Sequence, residues 1–554
     1  MTTIVPILAR ELLATARRRS TYATRVLAGV GSVGFAIAML LAGFLQYLAP
    51  ATAGQMFFSW LTAIGYGFAL VNGVLSTCDC ISREKRDGTL GLLFLTPLNA
   101  FDVIFGKFIP RFCHLFFCLL AAAPSLAFAF ILGGVTAGDF LLAALNLANA
   151  LFLFTALGML ISTFSRNEKR VFTAAIGLAV ILGVVLPACG TGFRALGPGS
   201  SQVFAYFSGP AGALSFWLGS PGAAVTRGLA VGWAFWVNHF LAWLFLLVSG
   251  LCLSRMVRDT GAGESAWHRF FTEPVRWRSH RRVAKPRPDS WWEVNPVYQM
   301  VIHFDLRHSS PTSRFLILCL TLVVALFAFP SGWILPEGWR QNQGFPAAWF
   351  SPPIFPAAVL LLHYLLKFAV AAEACHALGS ERRNGTLESL LVTPAGEEVI
   401  VRGQLLALKR RYAFPVLFIL AFQALLALTG LPRLGPGEKL VFVGILGAAT
   451  AWLLVDLYTL AWVGLWCGLR ASHTSQAIRQ TLVLVLLLPW ALLLAGCALV
   501  ALCVDMRFVA GWLVAAGSLG IVGAALAGNL AWSIYSLGEH FREVASTPEF
   551  KAPR

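Results

Sequence analysis

A series of apolar runs, each about as long as a lipid bilayer is thick, constrains this chain more than any other feature. A transmembrane helix needs about 20 apolar residues. The sequence offers twelve such runs, near 26–48, 56–80, 108–134, 139–164, 170–189, 226–254, 314–335, 354–378, 412–430, 439–469, 477–503 and 508–537. Only 12% of its 554 residues are charged, whereas a soluble protein carries about 25%. The sequence therefore predicts an all-α integral membrane protein with about twelve transmembrane helices.

The basic residues set the predicted orientation. Lys and Arg concentrate in a few stretches, namely 10–25, 83–111, 166–170, 255–287, 382–411 and 470–479. The loops 49–55 and 135–139 contain neither residue. Alternation of this kind follows the positive-inside rule, so we expect both termini to be cytoplasmic in a bacterial inner membrane. It also accounts for the net charge of +17 without a nucleic-acid partner, and no basic and aromatic recognition module is visible.

The chain is predicted to have two related halves. Residues 1–255 and 296–554 each contain six apolar runs, and the basic, Pro-containing segment 256–295 is expected to be a cytoplasmic linker. Met1–Arg25 is predicted to be an amphipathic cytoplasmic helix, because its leucines and isoleucines can lie on the membrane while its arginines face phosphate groups. A similar segment begins near Pro296.

A short motif recurs between the second and third run of each half, at a constant offset of 297 residues. It reads REKRDGTLGLLFLTP at 83–97 and SERRNGTLESLLVTP at 380–394. The shared residues are Glu84, Arg86, Gly88, Thr89, Leu90, Leu93, Thr96 and Pro97, which recur as Glu381, Arg383, Gly385, Thr386, Leu387, Leu390, Thr393 and Pro394. This repetition predicts a tandem duplication.

The motif has the chemistry of a turn followed by a short helix. Asp-Gly and Asn-Gly are turn dipeptides, and Gly88 and Gly385 are expected to adopt positive φ. Thr89 and Thr386 are expected to N-cap the short helix. The Thr-Pro pairs are expected to end it, with Pro at the first position of the next helix. A juxtamembrane turn with no further role is the alternative.

At these residues the chain resembles the permease subunits of type-2 ATP-binding-cassette (ABC) transporters, most of which are exporters. The resemblance implies that each motif is a coupling helix seated on an ABC ATPase, so that one chain contacts two ATPase subunits. It also implies that ATP and magnesium bind the partner ATPase and that this chain is not catalytic. One departure is Gly91, where the second copy has the usual acidic residue, Glu388.

Catalytic and cofactor signatures do not appear in the sequence. No phosphate loop of the G-x-x-x-x-G-K-[ST] type occurs, and the nearest string, GPGEKL at 435–440, has the wrong spacing. The 11 cysteines include no C-x-x-C pair, so we expect buried thiols and not a metal site. We therefore predict no catalytic residue, no metal and no cofactor in this chain.

Polar residues inside the predicted transmembrane helices are candidates for a substrate path. They include His363, Lys367 and Asp456, with Glu373 nearer the cytoplasm and further candidates in Asn72, Asn146 and Asn149. A structural role is the alternative, in which Lys367 snorkels or pairs with Asp456. The same groups suggest a different function, a twelve-span proton-coupled secondary transporter, and a scaffold that has lost transport is a third. The substrate itself is not identified.

Overall fold

The structure is a computed structural model, and it describes residues 4–17, 19–41, 50–95, 98–164, 168–185, 224–258, 295–308, 354–430, 436–493 and 511–546. All regular elements in these residues are helices, as the apolar runs predict. The described residues divide into two compact units, one containing the helices up to Arg258 and the other containing those from Pro296 onward.

The helices of the first unit alternate between long segments and short connectors. They are α1 Ile4–Ala16, α2 Arg19–Leu41, α3 Pro50–Thr77, α4 Cys80–Arg86, α5 Thr89–Leu93, α6 Ala100–Leu132, α7 Ala137–Phe164, α8 Glu168–Val180 and α9 Ala224–Arg258. A π-helical turn, Ile181–Val185, follows α8.

The second unit has a similar order of long and short helices. They are α10 Pro296–His308, α11 Ile354–Arg383, α12 Thr386–Leu391, α13 Glu397–Gly430, α14 Pro436–Arg470, α15 Thr474–Leu482, α16 Gly511–Glu539 and α17 Phe541–Ser546. Another π-helical turn, Val483–Leu487, follows α15.

Seven helical segments in the described residues are long and apolar enough to cross a membrane. They are Ala53–Arg86, Ala100–Leu126, Ala137–Phe164, Phe235–Arg255, Phe442–Arg470, Thr474–Leu493 and Gly520–Glu539. Four other predicted spans, near 26–48, 170–189, 354–378 and 412–430, coincide with helical segments outside this set, and the run 314–335 lies outside the described residues. The number twelve therefore stays a prediction.

In the first unit, glycine lets helices α3 and α7 pack closely. A Cβ on Gly158 of α7 would lie 2.2 Å from Oγ1 of Thr77 and 2.7 Å from the carbonyl oxygen of Val74. Small residues commonly permit such close helix crossings in membranes, where lipid offers no hydrophobic drive for association. Helix α9 packs on α7 and α6, and α2 packs on α6.

In the second unit, α11 and α14 make the equivalent crossing. A Cβ on Gly464 would lie 2.7 Å from Cβ of Ala374, and one on Gly468 would lie 2.2 Å from the carbonyl oxygen of Cys375. Cys78 and Cys375 are in register at the offset of 297, and both thiols are fully buried at these crossings. The fold therefore uses these two cysteines as small packing residues.

The two N-terminal helices of the units differ in part from the sequence prediction. Helix α1 ends at Ala16 and a separate helix begins at Arg19, so a single amphipathic helix through Arg25 is wrong. In the second unit, α10 begins at Pro296. Asn295 holds its start in place, because its side-chain amide donates to the carbonyl of Val399 at 2.9 Å and its oxygen accepts from the amide of Val297 at 3.1 Å.

Candidate functional site

The repeated motif forms a tight turn and a short helix in both units. Gly88 has φ +70° and Gly385 has φ +74°, which confirms the predicted left-handed turns. A Cβ at either glycine would meet no atom within 4 Å, so the requirement for glycine comes from the backbone angle alone. The turns end α4 and α11 and lead directly into α5 (the first short helix) and α12 (the second short helix).

The two threonines after these glycines do not cap the short helices, and that expectation is wrong. The glycines themselves occupy the N-cap positions. The hydroxyl of Thr386 donates to the carbonyl of Glu381 at 3.0 Å, and that of Thr89 donates to the carbonyl of Glu84 at 3.5 Å. Each threonine therefore ties its short helix back to the end of the preceding helix, where carbonyl groups lack partners within the helix.

The glutamate of each motif binds the helix that follows. Nζ of Lys107 lies 2.7 Å from Oε1 of Glu84, and the side-chain amide of Gln404 donates to Oε1 of Glu381 at 2.8 Å. Lys107 and Gln404 differ by the same 297 residues as the two glutamates. The same contact thus recurs in both units, with an ion pair in one and a neutral donor in the other.

A second recurring contact was missed in the sequence. Lys85 donates to the carbonyl of Thr163, and Arg382 donates to the carbonyl of Leu469 at 2.6 Å. Both acceptors lie in the last turn of a long helix, α7 or α14, where a cation interacts favourably with the helix dipole. The signal in the sequence was a basic residue at the same motif position in both copies.

The arginines of the motif make different contacts in the two units. Arg86 lies 2.7 Å from the Asp79 carboxylate, whereas Arg383 donates to the hydroxyl of Thr474 at 2.6 Å. Both contacts hold the end of the helix that precedes the turn. Arg383 therefore joins α11 to α15 of its unit, whereas the contact of Arg86 is local to α4.

Each short helix has a buried apolar side and an exposed side. Leu90 and Leu93 are partly buried against a cluster that includes Ile81 and Ile104, while Leu387 is fully buried and Leu390 is partly buried. On the other side, Leu95 is 82% exposed and its counterpart Val392 is 88% exposed. An apolar residue is therefore exposed at the same position in both copies, just after each short helix.

The exposed sides of the two short helices are not identical. The first presents Gly91 and Leu92, and the second presents Glu388 and Ser389 at the equivalent positions, all four of them exposed. Leu92 is 64% exposed. The first surface is therefore apolar, whereas the second carries a negative charge.

The Thr-Pro pair that follows each short helix is described only in the second unit. The hydroxyl of Thr393 donates to the carbonyl of Leu390 at 2.6 Å and closes the last turn. Pro394 lies in the connection, because α13 begins at Glu397, so the expectation of a proline at the first helical position is wrong. Thr96 and Pro97 lie outside the described residues.

A group of buried polar residues lies between α11, α13 and α14 in the second unit. Nζ of Lys367 lies 2.5 Å from Oδ2 of Asp456 and 5.3 Å from the ring centre of Tyr364. His363 hydrogen-bonds Gln423, whose oxygen accepts from the hydroxyl of Thr450 at 3.1 Å. The structure thus brings Lys367 and Asp456 together, as the structural alternative required.

Other polar candidates have partners of their own. Glu373 pairs with Arg411, whereas Asn72 and Asn146 hydrogen-bond carbonyls of their own helices. Asn149 donates to the carbonyl of Phe235 at 2.9 Å and thereby joins α7 to α9. In the first unit, the counterparts of His363 and Lys367 are Tyr66 and Leu70, so the charged pair belongs to the second unit. In the described ranges, no three His, Cys, Asp or Glu side chains are grouped to hold a metal ion.

A comparison with known families matches part of the first unit. Residues 15–202 match the family described as ABC-2 family transporter protein. The matched range includes the first short helix, and the second short helix lies outside it. No curated protein matches the chain.

Proposed function

Residues 15–202 form an ABC-2 family transporter domain, and from this premise we propose that the chain is the membrane-spanning permease subunit of an ABC exporter. This domain supports the assignment of the chain as an integral membrane permease of an ABC transporter. Permeases of this family are generally non-catalytic and work with ABC ATPase subunits. The finer proposal is that both permease halves are fused in tandem and that two separate ATPase subunits bind one chain.

The tandem arrangement is supported by contacts that recur between equivalent residues. The offset of 297 relates the motifs and also the partners of their glutamates, Lys107 and Gln404. A second offset, 306, relates Gly158 to Gly464 at the helix crossings and Thr163 to Leu469 at the helix ends. Two constant offsets that relate residues in contact are what an internal duplication with one length change between them produces.

The observation that carries the functional proposal is the form of the two short helices. Each begins at a left-handed glycine, follows a helix whose glutamate binds the next long helix, and is followed by an exposed apolar residue, Leu95 or Val392. An element that is rigid, repeated and exposed on one side is suited to transmit force to a partner. We therefore assign both short helices as coupling helices.

In this proposal the chemistry of ATP hydrolysis, with its magnesium ion, takes place on the partner ATPase. The residues of this chain bind that partner and move as rigid bodies when it closes. The contacts of Lys85, Arg382 and Arg383 with other helices brace the helix that precedes each short helix against its own unit. Displacement of a short helix would therefore move its whole unit.

We place the protein in a bacterial cytoplasmic membrane with both termini inside. The substrate path is proposed to include His363, Lys367 and Asp456, because charged groups inside a bilayer are costly and commonly functional. The proton-coupled alternative uses the same residues as a relay. However, the structure gives Lys367, His363 and Glu373 three different partners, Asp456, Gln423 and Arg411.

Co-purification tests the proposal directly. The tagged full chain, extracted from its native membrane, should retain an ABC ATPase at two copies per chain, and reconstituted liposomes should hydrolyse ATP. Removal of the apolar ends by Leu95→Asp together with Val392→Asp should release the ATPase without loss of the membrane protein. A chain that transports with a proton gradient alone and retains no ATPase would support the alternative.

A further inference from the structure

The last described helix, α17, packs against the second short helix. Phe541 of α17 is fully buried, in the same apolar cluster as Leu387 of the second short helix and Ile400 of α13. Ala545, one turn further along α17, belongs to the same cluster. The second short helix therefore rests on α17 as well as on the long helices of its unit.

The matched residue of the first short helix shows what α17 adds. Leu90 is the counterpart of Leu387 and is only partly buried, and the first short helix has no buried residue. Its cluster is formed by α4, α6, α7 and α9. Contact with α17 thus coincides with the full burial of a leucine, Leu387, whose counterpart in the other copy is only partly buried.

Helix α17 is nearly continuous with the last long helix, α16. Only His540 separates them, and backbone hydrogen bonds tie this residue to both helices: its amide donates to the carbonyl of Ser536 at 3.1 Å, and its carbonyl accepts from the amide of Val544 at 3.0 Å. A junction bonded on both sides transmits displacement with little loss. Any movement of α16 is therefore expected to move α17.

A surface ion pair also ties α17 to the chain that follows the second short helix. Nε of Arg542 lies 2.6 Å from Oε1 of Glu397, in the first turn of α13. The Arg542 side chain is largely exposed, and exposed pairs contribute little to stability. The burial of Phe541 is therefore the main anchor of α17, because a buried aromatic side chain removes a large apolar area from water.

We propose that α17 is a positioning element that fixes the second short helix and connects it to the last transmembrane helix. This proposal rests on the proposed function, in which the second short helix contacts an ATPase. The ATPase on that side would then move α16 through α17, whereas the ATPase on the first short helix would act through α6 and α9. Phe541 is the positioning residue, and it acts through Leu387.

Hydrogen exchange of the full chain in lipid nanodiscs tests the contact. In Phe541→Ala, the amides of 386–392 should exchange at least ten-fold faster than in the wild type, while those of 89–93 in the first short helix stay unchanged. Phe541→Leu should restore slow exchange, and Arg542→Ala should have little effect. Unchanged exchange at 386–392 in Phe541→Ala would overturn the proposal. A graded series through Phe541→Met serves if the alanine variant does not fold.

The functional consequence is measured on the complex with its co-purified ATPase. Phe541→Ala should lower coupled ATP hydrolysis several-fold while the complex remains assembled, and Phe541→Leu should recover it. Faster exchange at 386–392 with undiminished ATP hydrolysis would overturn the positioning role. If the wild-type chain retains no ATPase, the proposed function fails; if it retains one and exchange does not respond to Phe541→Ala, only the role of α17 fails.

Discussion

Substitution of the glycine that precedes the second short helix isolates the role of this element. Gly385 has φ +74° and open space around its missing Cβ, so valine would meet no steric obstacle from neighbouring atoms. The cost comes from the backbone alone. An L-residue in the left-handed region loses about 1–2 kcal/mol, and a β-branched residue is a particular outlier there.

That cost is large enough to change the position of a helix of only five or six residues. A free-energy difference of about 1–2 kcal/mol changes a two-state ratio by a factor of roughly 5–30. We expect Gly385→Val to lower the ratio of docked to undocked second short helix by such a factor, while the membrane-spanning helices are unaffected. Coupled ATP hydrolysis by the purified complex should fall by a similar factor, with normal insertion and yield.

The chain provides matched controls for this experiment. Asn tolerates the left-handed region better than other non-glycine residues, so Gly385→Asn should retain most of the activity. Gly396 also has open space, and its φ is not positive, so Gly396→Val should have little effect. Gly88→Val should cost less than Gly385→Val, because the first short helix has Gly91 in place of the acidic Glu388.

The decisive combination is the double variant Gly88→Val, Gly385→Val. If this protein retains its ATPase and hydrolyses ATP at the wild-type rate, the short helices are not the coupling elements. A loss of activity that merely follows a loss of folded protein would also count against the reasoning. The thermal unfolding of the membrane protein, followed in the same detergent, distinguishes that case.

Three further predictions test other parts of the account. Maleimide labelling from outside the cell should reach cysteines placed in 49–55 and 331–353 but not one at Ser290, and labelling at Ser290 would contradict the topology. Lys367→Met leaves Asp456 buried without its cation and should destabilise the protein by about 3–5 kcal/mol. If the double variant Lys367→Met, Asp456→Leu restores both stability and transport, the pair is structural. If it restores stability without transport, the pair belongs to the substrate path. Lys85→Met and Arg382→Met should each lower stability by about 1 kcal/mol, read as a lower melting temperature, and no change in either would contradict the recurring contact with a helix end.

Local features of the short elements were predictable from the sequence. The left-handed conformations of Gly88 and Gly385 follow from turn dipeptides that stop a helix, and the helical character of the chain follows from apolar runs of membrane length. The position of α10 at Pro296 was also anticipated. Such features depend on residues that are close together in the chain and on the solvent around them, so the sequence pattern alone predicts them.

The partners of polar side chains were less predictable. The threonines of the motif were expected to cap their own helices and instead bind carbonyls of the preceding helix. Which acceptor a hydroxyl reaches depends on backbone angles set one residue earlier, at the glycine. The sequence left open whether Lys367 snorkels to the interface or pairs with Asp456, and the packing of α11 on α14 brings the two side chains together.

Contacts between distant segments were decided by the tertiary structure alone. The residue type and spacing of Phe541 do not indicate that it shares a cluster with Leu387, and nothing in the motif indicates that Lys85 and Arg382 reach the ends of α7 and α14. Hydropathy and turn chemistry are local properties, so the sequence determined where helices lie and where they turn. The packing of helices far apart in the chain depends on shape and on the burial of whole surfaces, and therefore only the folded structure determines how each short helix is held.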